Sequence, residues 1–118
     1  MAHLAAALLL VHALTRADRC ESPQTQAAMN VCAAEEFRRA DAQLNAVYRK
    51  LTATLDADRR RKLQAAQRAW LAFRDAHCEF EASAYEGGSM QPMEYSTCAT
   101  NVTKERIGHL RQALDAPR

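Results

Sequence analysis

The sequence predicts an all-α protein, a long antiparallel helical hairpin with a third helix packed on it and disulfides as staples. Three observations predict this. The 118 residues hold only three glycines and three prolines, against abundant Ala, Arg, Leu, Glu and Gln, a helix-forming composition with few turns. Apolar residues recur at steps of three and four along two long stretches, the period of a helix face rather than the alternation of a strand. Four cysteines, Cys20, Cys32, Cys78 and Cys98, all follow an apolar N-terminal segment, and an even number in a small exported domain favours a disulfide framework.

That N-terminal segment is the first element. Leu4 to Leu14 is apolar but shorter than the roughly 20 residues that cross a bilayer. Thr15-Arg16-Ala17 puts small residues at the two positions a signal peptidase reads. Residues 1–17 therefore read as a signal peptide and 18–118 as one exported domain, periplasmic or secreted, with no membrane span; an amphipathic N-terminal helix of a cytosolic protein is the alternative. Asp18-Arg19 ahead of Cys20 lacks the small residues of a lipoprotein cleavage site, so lipid attachment is not expected. The mature segment carries 15 basic residues, the 16 of the chain less Arg16, and 14 acidic ones. A net charge of about +1 argues against a charge-driven binder of nucleic acid.

The first long helix is expected from about Gln24 to Leu55, with Ser22 or Thr25 as N-cap and Pro23 in the first turn. Met29, Ala33, Phe37, Ala40, Leu44, Val47, Leu51 and Leu55 mark one face of it, and no breaker intervenes before Asp56. The connection Leu55-Asp56-Ala57-Asp58 is short enough to turn the chain antiparallel, with Asp56 or Asp58 capping the next helix. Arg59-Arg60-Arg61-Lys62 then opens that second helix. Lacking interleaved aromatics, this run reads as a solvated helix turn, an anionic contact being its functional alternative.

The second helix is expected from about Asp58 to Ala84. Its stripe is Leu63, Ala66, Trp70, Phe73, His77, Phe80 and Ala84, which the periodicity turns inward, with Trp70 and Phe73 as core. A loop from Tyr85 to Tyr95 comes next, holding Gly87-Gly88 and Pro92. The third helix is expected from about Thr97 to Leu114, ending before Pro117. A glycosylation sequon, Asn101-Val102-Thr103, falls inside that helix and carries no weight there.

The chemistry-bearing residues point away from catalysis. There is no Ser, His and Asp set in a plausible order and no phosphate loop. The cysteine spacings of 12, 46 and 20 contain no C-x-x-C, so neither a metal nor a cofactor is implied. Glu35-Glu36 and Glu79 with Glu81 are read as helix-surface acids rather than a glycosidase pair. Polar residues do lie beside the apolar stripes: Asp41, Asn45 and Tyr48 on the first helix, Gln67 and Arg74 on the second, Thr103 and Arg106 on the third. Their spacing of three and four keeps each group on one face, the arrangement of a buried interhelical hydrogen-bond network that fixes register.

The same residues carry a resemblance. Cys20 and Cys32 separated by eleven residues, A-D-A-Q-L-N-A-V-Y from Ala40, A-Q-R-A-W-L-A-F-R-D-A-H-C from Ala66, G-G-S-M-Q-P-M from Gly87, Cys98, and T-K-E-R-I-G-H-L from Thr103 together resemble the LprI-like lysozyme-inhibitor family. The resemblance spans nearly the whole mature chain. It implies an exported helical domain with two disulfides and, for some members, inhibition of lysozyme. It transfers no residue-level binding site. Chain geometry agrees with it on pairing Cys20 with Cys32 and Cys78 with Cys98, because the segment ahead of the first helix is able to fold back along it and the glycine loop joins the other two.

The function expected from these readings is an exported, non-enzymatic inhibitor that occludes the cleft of a lysozyme-type peptidoglycan hydrolase. Its candidate partner-binding loop is Tyr85, Glu86, Gly87, Gly88, Ser89, Met90 and Gln91, whose backbone groups and aromatic flank suit insertion. Lysozymes are commonly basic, so local acids such as Glu86 and Glu94 must supply the attraction that the net charge does not. The alternative is a cell-envelope binding or structural module without lysozyme affinity.

Overall fold

The computed structural model describes residues 20–117. The signal-peptide reading and the domain's expected start at Asp18 lie outside them. The described chain forms three long helices, α1 (Gln26–Thr54), α2 (Ala57–Ala82) and α3 (Gln91–Asp115), with a short 3-10 turn, Ser83–Tyr85, between the last two. No strand occurs among the described residues.

Each of the first two helices begins where local chemistry satisfies its first N–H groups. Thr25 is the N-cap of α1, its hydroxyl accepting from the Ala28 N–H at 3.1 Å, which leaves Pro23 ahead of the helix. Asp56 caps α2 through a 2.8 Å bond from the Arg59 N–H. Arg60 then turns back across the connection and donates to the carbonyls of Leu55 at 2.9 Å and Thr52 at 3.3 Å. A cation there closes the C-terminal end of α1 with the sign its dipole favours. One of the four cations read as a solvated run is thus a structural clasp.

The start of α3 departs from expectation. It begins at Gln91, six residues before Thr97, because Pro92 occupies the first turn. Proline is favoured there, its fixed φ suiting a helix and its missing N–H needing no partner. The expected loop of Tyr85 to Tyr95 accordingly contracts to Glu86–Met90.

The helices are antiparallel in sequence order, which makes α1 and α3 parallel. Gln26 and Asn30, near the start of α1, reach Met93 and Ser89 near the start of α3. The closest packing is between α1 and α3, then between α2 and α3. The core follows that order: Leu44, Val47 and Leu51 of α1 meet Ile107 and Leu110 of α3, with Tyr48, Leu55, Leu63, Trp70 and Leu114 packed against them. The two arms of the hairpin meet chiefly through side chains.

The inward face of α2 is not the one its periodicity selects. Its buried residues are Gln67, Arg74, Cys78 and Ala82. Phe73 is 56% exposed and Phe80 71%, Ala66 and Ala84 are exposed, and Leu63, Trp70 and His77 are only half-buried. The helix is rotated because its strongest bonds lie elsewhere. The Cys78–Cys98 disulfide holds its end to α3 with 5.5 Å between Cα atoms, and Arg74 and Gln67 bond across to the other helices.

Candidate functional site

The end of the bundle that carries the loop is built by all three helices. At the close of α2 the Ser83 hydroxyl donates to the Phe80 carbonyl, and the chain tightens into the 3-10 turn. Gly87 takes φ +76°, a backbone that L side chains rarely adopt, and the Gly88 N–H donates to the Tyr85 carbonyl at 2.9 Å. From α1, Asn30 Nδ2 donates to the Ser89 carbonyl at 2.9 Å. Gln26 Nε2 supports Asn30 through a 2.8 Å bond and lies 3.6 Å from Met93 Sδ. The second disulfide, Cys20–Cys32, holds the lead-in to α1 against the helix with 5.4 Å between Cα atoms. The loop is therefore pinned from α1 and bracketed by α2 and α3.

Of the expected loop residues, Tyr85, Glu86, Gly87, Gly88, Ser89 and Met90 are exposed, while Gln91 opens α3 and accepts from the Gly87 N–H at 3.4 Å. Phe80, one turn before the 3-10 segment, adds a third large exposed apolar side chain beside Tyr85 and Met90. Charge is segregated to this end. Residues 75–103 contain Asp75, Glu79, Glu81, Glu86 and Glu94 and no Lys or Arg, and residues 20–37 contain Glu21, Glu35 and Glu36 and no Lys or Arg. Glu36 pairs with Lys104 across α1 and α3 at 3.3 Å. Burial, and then the carboxylates of Asp75 and Glu79, push the Tyr95 phenol above its usual range, with Arg74 pulling the other way.

The polar residues beside the stripes divide into two groups. Arg74, buried, donates to Asp41 at 3.0 Å, to Asp75 at 2.9 Å and to the fully buried Thr103 hydroxyl at 3.5 Å. Its guanidinium also lies over the rings of Phe37, at 4.9 Å, and Trp70, at 5.4 Å. Arg106 donates to Gln67 at 3.0 Å and covers Trp70 at 5.8 Å; burial lowers its pKa from the usual arginine value. Asn45 and Tyr48 stand apart. They line a shallow groove between α1 and α2 with Gln64, Gln67, Arg68 and Leu71, Asn45 exposed and Tyr48 against the core.

A second groove lies between α2 and α3, lined by Trp70, Phe73, His77, Val102, Glu105, Arg106 and His109. Phe73 stacks on His77 with ring centroids 5.3 Å apart, and His77 lies 3.7 Å from Glu81. Periodicity takes Phe73 and Phe80 for core and so misses them as surface. It also misses Gln26 and Asn30 as supports of the loop, since contacts between residues 59 and 67 positions apart leave no local pattern. The absence of Lys and Arg from 75–103 was the readable signal.

Chemically this end offers fixed backbone groups, two aromatic rings and a thioether among carboxylates, an arrangement suited to binding a basic protein surface. No solved structure matches the chain. An uncharacterized protein of Rhizobium meliloti (strain 1021) is 33% identical over 110 residues, covering 82% of this chain and 79% of its own length. The family described as lysozyme inhibitor LprI matches residues 17–110, a span that takes in both disulfides, the pinned loop and the interhelical network. The chain belongs to the LprI lysozyme-inhibitor family.

Proposed function

We propose that this protein is an exported, non-enzymatic inhibitor of a lysozyme-type peptidoglycan hydrolase, periplasmic or secreted, which presents its loop end to the cleft of the enzyme. The observation that carries the reading is the acidic end: residues 20–37 and 75–103 hold eight carboxylates and no Lys or Arg, two of them paired with cations just beyond (Glu36 with Lys104, Asp75 with Arg74), and the loop at this end is pinned by Asn30. Family membership supplies the class of target. Two disulfides fit an oxidising, extracytoplasmic setting. Opposite local charge speeds encounter with a basic enzyme, and exposed Tyr85, Met90 and Phe80 are apolar anchors of the kind that dominate interfaces. Because the loop is already held in one conformation, binding loses less entropy in ordering it.

The test is lysis of a cell-wall suspension by lysozyme with and without the purified, oxidised protein. Dose-dependent protection is expected, and the double variant Tyr85→Ala/Met90→Ala should protect at least about tenfold less while melting as the parent does. A protein without effect at large molar excess over several lysozymes defeats the proposal. Equal potency of the double variant moves the contact away from the loop.

A further inference from the structure

We propose that the opposite end of the bundle is a docking surface for an anionic phospholipid bilayer. Residues 49–62 hold six Lys or Arg against two acids. Arg49 and Lys50 lie near the close of α1, Arg59 to Lys62 open α2, and all six cations are exposed. The chain reversal at Leu55 and Asp56 brings them to one end, where α3 also finishes.

From the end of α3, exposed Arg111 and Asp115 offset each other, and the two acids of residues 49–62 leave this surface positive. Asp56 is engaged as the cap of α2. Asp58 pairs with Arg61 at 3.4 Å and Lys62 at 2.9 Å, surface pairs that water and salt screen. Arg60 is spent on the carbonyls of α1, yet its charge stays at the tip.

A lipid, rather than a soluble polyanion, is favoured by what lies among the cations. Leu51, Leu55, Leu63, Ala66 and Ala113 line an open groove of about 270 Å³ with Arg59 and Lys62 at its edge. Phosphate beside a short apolar recess is the chemistry of a headgroup with the start of its acyl chains. A bundle standing on this end points its acidic loop away from the bilayer. The docking surface is independent of the inhibitor reading, since it shares no residue with the loop.

The test is vesicle flotation of the oxidised domain, without any hydrolase. Binding is expected to vesicles of phosphatidylglycerol mixed with phosphatidylcholine, falling with added salt, and not to phosphatidylcholine alone. Each cation near a charged membrane contributes roughly fivefold in partitioning, so Arg59→Gln/Arg61→Gln/Lys62→Gln, which spares Arg60, should lower it by at least about tenfold with unchanged circular dichroism. Glu79→Gln/Glu81→Gln/Glu86→Gln raises net charge by as much as the first variant lowers it, and should leave vesicle binding within about twofold if the patch, not total charge, is read. Equal binding to neutral vesicles, an unaffected basic-end variant, or a matching gain in the acidic-end variant overturns the proposal. So does full competition by soluble polyphosphate at equal phosphate, which identifies a polymer as the occupant.

Discussion

Arg74 is a charged side chain on the inward face of α2, and it is tolerated there because all three helices give it partners. Asp41 comes from α1, Asp75 from α2 and Thr103 from α3, while Phe37 and Trp70 cover the faces of the guanidinium. Removing it strands Asp41 and Thr103 and opens a void beside Trp70. Arg74→Ala is therefore expected to destabilise by about 2–4 kcal/mol, less than a fully buried pair because Asp41 retains contact with water. Arg74→Lys should recover only part, since an ammonium lacks the planar fork that bonds two carboxylates and stacks on rings. Urea midpoints of the two variants check both statements. Tyr95 gives a second residue-scale outcome. Its folded-state pKa lies above the unfolded value of 10.0, so folding favours the neutral phenol. Its contribution is fully present below pH 10 and is lost as the pH rises from there through the higher folded value. Tyr95→Phe should accordingly lose less stability than the parent between neutral pH and about pH 11, read as the difference in denaturant midpoints. Equal alkaline losses would show that Tyr95 titrates alike in both states.

At the scale of the element, α2 exposes the limit of periodicity. A stripe of apolar residues identifies a helix, but the rotation of that helix is decided by its strongest contacts, and here those are a disulfide and two polar bridges. The consequence is an exposed aromatic face. Phe73→Gln/Phe80→Gln is expected to stay within about 1 kcal/mol of the parent, whereas Leu44→Ala, at a fully buried position, should cost about 2–5 kcal/mol. A loss of several kcal/mol in the Phe variant would put those rings in the core after all. The helices themselves, the short reversal at Asp56 and the Asp cap were legible because their signals are local. The start of α3 was not, since proline marks both loops and first turns, and what distinguishes the two is the contact of Met93 with Gln26 of α1 and the burial of Ser96, neither of which has a local signal. Of the loop end, composition reveals the missing cations between 75 and 103. It cannot reveal that the first 18 described residues, equally free of cations, lie beside them, because that depends on α1 and α3 running parallel.

For the whole molecule, a formal net charge of +2 conceals two ends of opposite sign. A 29-residue helix is about 43 Å long, several times the roughly 8–10 Å over which charges act in physiological salt. A partner approaching one end therefore meets the local charge, and the other end contributes little. This separation predicts a salt response that the net charge does not. For a basic hydrolase meeting the acidic end, raising ionic strength from about 20 to 200 mM should slow association by roughly tenfold, while dissociation, governed by the desolvated contacts of Tyr85 and Met90, changes by less than about twofold. Neutralising Glu79, Glu81 and Glu86 together should lower the association rate at low salt and flatten its salt dependence, with the helical circular dichroism unaltered. Neutralising Arg59, Arg61 and Lys62 should leave both quantities as they were. Stopped-flow association of the oxidised protein with lysozyme measures all of this, and a rate insensitive to salt would mean that the acidic end does not face the enzyme.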